Sequence, residues 1–121
     1  MRPQVGSLRA GPVAYLLYTY KACIIDSVAD ELSFDWDKDN LQHIARHGIT
    51  PDEIEQVFGN EPKDIDFDVI GGEERWTSIG HTNLLRVLIV IWSMRDASVR
   101  PITAFEASKI VRIEYIRSKG F

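Results

Sequence analysis

In Lys63-Asp64-Ile65-Asp66-Phe67-Asp68-Val69-Ile70-Gly71-Gly72-Glu73-Glu74-Arg75-Trp76 the chain changes period. Ahead of it apolar residues recur at helical spacing; within it they alternate. Ile65, Phe67 and Val69 fall on one side and Asp64, Asp66 and Asp68 on the other, which predicts a half-buried strand with a very acidic outer face. Gly71-Gly72 is its turn. Trp76, Ser78 and Gly80 then alternate with Arg75, Thr77 and Ile79 as a second strand. A bare turn needs no charges, so the run Glu73-Glu74-Arg75-Trp76 marks a place where something is bound or organised.

Reading onward, His81-Thr82-Asn83 turns the chain again, and Leu84 to Met94 is nearly all apolar. That run is too β-branched and too short for a helix and predicts a central strand buried on both faces. Arg95-Asp96-Ala97-Ser98 makes the next reversal. Val99, Ile102 and Ala104 form a last strand, which Pro101 pushes to an edge because it lacks a ladder donor. Thr103-Ala104-Phe105-Glu106 has the pattern of a capping box and predicts a terminal helix from there to about Lys119, with Ala107, Ile110, Val111 and Tyr115 on one face.

Reading backward, Thr50-Pro51-Asp52-Glu53 is a capping box with proline at the first helical position, followed by the stripe Ile54, Val57 and Phe58. Before it, Asp37 caps a helix to Arg46 or His47 with Leu41, Ile44 and Ala45 at helical spacing. Gly48 suits the left-handed residue past its end. The expected fold class is therefore α+β: a four-stranded antiparallel meander with two N-terminal helices and one C-terminal helix.

A chain of 121 residues, 45% hydrophobic and 26% charged, suits one domain with one core. Its net charge of -4 hides an asymmetry. Residues 35–74 sum to -9 and residues 75–121 to +5, so a basic face can attract RNA or an acidic partner, unless the faces simply average out in solvent. The single cysteine, Cys23, excludes an internal disulfide and a zinc site built on cysteine pairs, and fits a reducing cytoplasm. Pro12 to Ile25 is apolar but holds three tyrosines and Lys21 and is shorter than the ~20 residues of a membrane helix. No small-x-small cleavage pattern follows it, so neither a membrane span nor a secretory signal is expected.

Cleavage of RNA through its own 2'-hydroxyl requires a base, positive charge on the phosphate, and a donor for the leaving oxygen. Arg75 and Arg100 offer a planar fork that matches phosphate oxygens, and Arg95 adds to the same field. The plain alternative is pairing of these arginines with Glu73 and Glu74. His47, at a helix end, has the right pKa range for proton transfer, though a histidine there also caps terminal carbonyls. His43 lies one turn earlier without a carboxylate to complete a metal motif, and His81 reads as a solvated turn residue. Trp36, Trp76 and Trp92 offer stacking surfaces; Trp92 reads as core, and Trp76, beside Arg75, is the candidate to meet a base. No metal or cofactor site is expected.

From Phe34 to Phe121 the chain resembles the BrnT family, the small ribonuclease toxins of bacterial toxin-antitoxin pairs. The resemblance rests on Phe34-Asp35-Trp36-Asp37, Arg46-His47-Gly48, Gly72-Glu73-Glu74-Arg75-Trp76 with Ile79-Gly80, and Val99-Arg100-Pro101-Ile102-Thr103-Ala104, in that order and spacing. It implies a RelE-like fold and a metal-independent endoribonuclease that arrests translation. It also implies a DNA-binding antitoxin encoded beside it, through which alone the toxin reaches DNA. Under that likeness His47, Glu74, Arg75 and Arg100 would be catalytic, and Arg46, Trp76 and Arg95 would bind RNA. Family members commonly carry Ser-Ala-Arg where this chain has Thr103-Ala104-Phe105, and a basic residue in place of Glu106. A binding module with weakened or lost chemistry is therefore the alternative. Residues 1–33 precede the resemblance and read as an added segment, or as translation from a start codon placed too far upstream.

Overall fold

The structure, a computed structural model, describes residues 32–121. The expectations for the apolar run Pro12 to Ile25, for Cys23 and for an added segment lie outside the described residues, save its last two positions. Of those, Leu32 packs against the core, and the backbone carbonyl of Ser33 accepts from Val99 N–H at 2.9 Å.

Helix α1 spans Lys38–Arg46 and begins at a reciprocal cap: Asp37 Oδ1 accepts from Asn40 N–H at 3.1 Å, and Asn40 Oδ1 accepts from Asp37 N–H at 2.8 Å. Gly48 takes the left-handed conformation with φ 69°. Of the expected stripe Leu41, Ile44 and Ala45, only Ile44 is buried; the second inward residue is Asn40. Its amide donates to the Asp35 and Pro101 carbonyls at 2.9 and 2.8 Å, so a buried polar side chain anchors the helix start to the sheet. Helix α2, Pro51–Gly59, follows the sequence reading closely, with the Thr50–Glu53 box and Ile54, Val57 and Phe58 buried.

Strands β1 (Lys63–Ile70), β2 (Glu73–His81), β3 (Val87–Arg95) and β4 (Ser98–Glu106) pair in that order, each antiparallel to the next. One face carries Trp76, Leu88, Val90, Trp92, Val99 and Ala104 into the core with Ile44, Ile54, Val57 and Phe58. Trp76 and Trp92 stand opposite each other and stack at 5.0 Å. A hydrogen-bond chain runs beneath them, from Trp92 Nε1 to Ser78 Oγ at 2.9 Å and from that hydroxyl to Asp64 Oδ1 at 2.7 Å. Gly80 is required on this face: a Cβ there would sit 2.7 Å from Val57 Cγ1 and 3.1 Å from Pro62 Cβ. On the opposite face, helix α3 (Lys109–Lys119) covers only the end near Ile79, Val87 and Ile89, through Tyr115 and Ile116.

Four expectations are corrected. The Thr103–Glu106 pattern does not cap a helix: β4 continues to Glu106, because Ala104 is fully buried opposite Val90, and pairing with β3 overrides the local signal. The cap of α3 is Ser108. Strand β3 starts at Val87 rather than Leu84, since Leu85 adopts φ 65° and Leu84 is 92% exposed in a turn held by the Thr82 hydroxyl. In β4 the core positions are Val99, Pro101 and Ala104; Ile102 is the extra residue of a bulge, opposite no residue of β3. Finally, Ile65, Val69 and Ile70 of β1 are exposed, as are Ile110 and Val111 of α3. The alternation holds for Phe67 and Val69 against Asp66 and Asp68, but a register shift between Asp64 and Asp66 puts Asp64 on the core-side face with Ser78 rather than with the other aspartates, and because α1 packs mainly on β4 and α2 on β2 the apolar side chains of β1 remain largely in solvent.

Candidate functional site

Residues directly opposite in an antiparallel ladder share a face, as do alternate residues along a strand. Ser93 stands opposite Arg100, and Ile91 opposite both Thr77 and Thr103. Glu73, Arg75 and Thr77 of β2, Ile91, Ser93 and Arg95 of β3, and Arg100 and Thr103 of β4 therefore lie on the face that α3 leaves mostly open. At its far end the charged groups interlock. Arg75 donates to Glu73 Oε1 from Nε at 3.3 Å and from Nη2 at 3.1 Å. Arg95 reaches Asp35 Oδ2 at 3.4 Å, and Arg100 Nη1 lies 3.7 Å from the same oxygen and 2.9 Å from Asp37 Oδ2.

The Arg100 contact is an ion pair rather than an aligned hydrogen bond. Its buried Nη1 completes no hydrogen bond, and neither does the buried hydroxyl of Ser93 across the ladder. The Asp37 carboxyl is held below the usual carboxylate range, first by the Asn40 N–H it accepts and then by Arg100. Glu73 is likewise held low, first by the nearby Ser93 hydroxyl, which approaches it without completing a hydrogen bond, and then by Arg75. Asp37 and Glu73 are therefore ionised at neutral pH, and with Asp35 they are the three carboxylates that Arg75, Arg95 and Arg100 face.

The sequence candidates divide. Arg75, Arg95 and Arg100 come together. Glu74 does not join them: it lies opposite Val69 and is exposed on the other face, and the acid that meets Arg75 is Glu73. Trp76 is 8% exposed, stacked on Trp92 and 5.4 Å from the Phe67 ring, so burial corrects its candidacy to meet a base. Arg46 and His47 are exposed at the end of α1, with the His47 ring 6.2 Å from that of Phe105. Phe105 stands opposite Ile89, four β3 residues from Ser93, which puts this contact about 13 Å along the strand from Arg100.

Ser93, in an apolar strand, gave no signal of its own, and neither Asp35 nor Asp37 could be matched to an arginine before the strand order was known. Arg86 was also invisible: its Nη1 donates to Glu53 and to the Gly48 carbonyl, each at 3.0 Å, and its Nε lies 3.4 Å from Glu106 Oε2. It locks the α1–α2 turn to the sheet. Glu106, opposite Leu88, thus belongs to the core-side face and does not confront the arginine cluster. A groove of about 290 Å³ between β1 and α3, lined by Lys63, Ile65, Ile79, Val111 and Tyr115, shares no residue with that cluster.

His81 is corrected as well. It ends β2, and its Nδ1 lies 2.7 Å from the Tyr115 hydroxyl, with Phe121 against its ring. Burial, then Lys119, lowers its pKa below the ordinary 6.5, and burial raises Tyr115 to about 12. At His81 the unfolded chain therefore binds a proton at higher pH than the folded one. Stability from this contact is complete above about pH 6.5 and lost as pH falls through the folded value. Melting temperature should drop on acidification in that window, less so in His81→Gln; identical pH profiles for the two proteins would contradict the assignment.

Among the described residues no group of three or more metal-ligating side chains forms a metal site, and no helix is long and apolar enough to cross a membrane. No curated protein matches the chain. A solved structure similar to it is the crystal structure of the Brucella abortus ribonuclease toxin, BrnT. The two share 22% identity with a TM-score of 0.46, over 64% of this chain and 96% of that one. Residues 36–110 match the family described as ribonuclease toxin, BrnT, of type II toxin-antitoxin system. The match takes in well over half of the chain and includes Arg75, Ser93, Arg95 and Arg100, and on that ground the chain belongs to the BrnT family of ribonuclease toxins.

Proposed function

We propose that this chain is a metal-independent endoribonuclease of a type II toxin-antitoxin system, acting on single-stranded RNA in the cytoplasm and thereby inhibiting translation. The observation that carries the reading is the convergence of Arg75, Arg95 and Arg100 on the face that α3 leaves open, with Ser93, whose hydroxyl completes no hydrogen bond, opposite Arg100 in the ladder. Guanidinium forks on one face would hold a phosphate by charge-assisted hydrogen bonds, in exchange for part of their pairing with Glu73, Asp35 and Asp37. Glu73, ionised and beside Arg75, would take the proton of the 2'-hydroxyl in place of Glu74. The 2'-oxygen would then bond to phosphorus as the bond to the 5'-oxygen breaks, the arginines stabilising the added charge and water protonating the leaving oxygen. His47 stands too far along β4 to reach the same phosphate, and with Arg46 would contact a flanking nucleotide. An antitoxin encoded by a neighbouring gene is the expected protein partner and the only route to DNA.

A second reading has its own support. Arg75, Arg95 and Arg100 each already face a carboxylate, and Phe105 replaces a basic residue of the family, so a binding module with little chemistry would look the same. Incubation of the purified protein with single-stranded RNA separates the two. The enzyme should cleave in excess chelator and lose activity as salt rises, because each phosphate contact displaces counterions. Activity that vanishes in chelator and returns with one divalent ion would refute metal independence, and no cleavage at any protein concentration would leave the module.

A further inference from the structure

Strand β4 is the last of the sheet, and the segment before α1 runs parallel along its outer edge. Val99 makes a complete rung there: its N–H donates to the Ser33 carbonyl at 2.9 Å, and its carbonyl accepts from Asp35 N–H at 2.8 Å. Two residues on, Pro101 turns the same edge outward but cannot repeat the pattern, because it has no N–H to offer the Asp35 carbonyl. The Asn40 amide fills the gap. Its Nδ2 donates to the Asp35 carbonyl at 2.9 Å and to the Pro101 carbonyl at 2.8 Å, while its Oδ1 accepts from Asp37 N–H at 2.8 Å. Every main-chain group that the second rung leaves over thus ends on one side chain, which is 2% exposed.

Arg100 sits between the two rungs, and the acids it faces, Asp35 and Asp37, are the residues that the rungs fix. We infer that Asn40 is a positioning residue for Arg100: by closing the rung at Pro101 it fixes Asp37 against the guanidinium and so aims that fork at the scissile phosphate; this rests on the endoribonuclease reading above. A shorter side chain would leave the Asp35 and Pro101 carbonyls and the Asp37 N–H unpaired, and Asp37 would no longer be held in register with β4. Arg75 is spared, since both of its hydrogen bonds go to Glu73 on its own strand. The Asp37 carboxyl offers a second reporter, because it is held low first by the Asn40 main-chain N–H and then by Arg100.

The test is a double-mutant cycle in the full chain, with melting curves to show that each variant is folded. Asn40→Ala, which keeps the main-chain N–H that Asp37 Oδ1 accepts, should lower kcat on single-stranded RNA about tenfold or more, with KM changed less than about threefold, because a misplaced group costs rate more than binding. The same substitution should cost a similar factor when added to Arg75→Ala, but less than about twofold when added to Arg100→Ala, where no fork remains to be aimed. An equal factor in all three backgrounds would mean a merely structural role and would overturn the inference. Should Asn40→Ala not fold, Asn40→Asp keeps the acceptor for Asp37 N–H, removes both donors and takes its place in the cycle. If the parent cleaves no RNA, the endoribonuclease reading fails, whereas the placement of Arg100 by Asn40 is still decided by titrating the Asp37 carboxyl with carbon-detected NMR. Arg100→Ala should raise its pKa in the parent and raise it much less in Asn40→Ala. The same shift with and without the Asn40 amide would show that Asn40 does not place Arg100.

Discussion

Arg75→Ala is expected to slow RNA cleavage about 10²–10³-fold, equivalent to ~2.7–4 kcal/mol of transition-state stabilisation, with little loss of fold. Arg75 suits the test better than Arg100. Its side chain is 31% exposed and its two hydrogen bonds both go to Glu73, whereas Arg100 is 13% exposed and its loss would strip the Asp37 carboxylate that caps α1 of its counter-charge. Arg75→Lys keeps the charge without the planar fork and should fall between parent and alanine. Cleavage rates on one single-stranded RNA, with circular dichroism of each variant, check this. An alanine variant as active as the parent would remove the arginine cluster from the reaction.

Phe105→Arg should work in the opposite direction, raising cleavage about tenfold by adding a guanidinium for the nucleotide that flanks the scissile phosphate. Residue 105 lies on the strand face opposite Ile89, not at a helix end, so the gain cannot come from a helix dipole. It comes from adding a fourth fork to the open face that holds Arg75, Arg95 and Arg100, beyond Thr103 and beside His47, about 13 Å along the strand from Arg100. Phe105 is 36% exposed, so the exchange removes little core. The double variant Phe105→Arg/Arg75→Ala should lose the gain. A folded Phe105→Arg protein that cleaves no faster than the parent would favour the binding module.

Local signals carried most of the fold. Period, caps and turns placed α1, α2 and all four strands, because each is written within a few neighbouring residues: Asp37 with Asn40, Thr50 with Glu53, Gly71 with Gly72. What misled was local as well. Thr103 to Glu106 satisfies the capping pattern, and only the pairing of Ala104 with Val90, a partner distant in sequence, shows that the strand continues. The site was legible as a set of arginines but not as an arrangement. Choosing Glu73 over Glu74 needs the pleat of β2, and matching Asp35 and Asp37 to Arg95 and Arg100 needs the parallel bridge from Phe34 to Val99 that lays this segment against β4. Trp76 looked available because it adjoins Arg75 in sequence. Adjacent residues of a strand point to opposite faces, so that adjacency itself places it in the core.

The bulge at Ile102 has an evolutionary consequence. With the extra residue, Val99, Pro101 and Ala104 enter the core while Arg100, Thr103 and Phe105 stay outside. Were Ile102 to pair in regular alternation instead of bulging, every later residue would change face, sending Phe105 into the core and Ala104 to the surface. Relatives can therefore lose this one residue without turning the rest of the strand over. An alignment gap of one residue at Ile102 is a deletion the sheet accommodates, whereas a gap of two between Arg100 and Ala104 would signal a misplaced register.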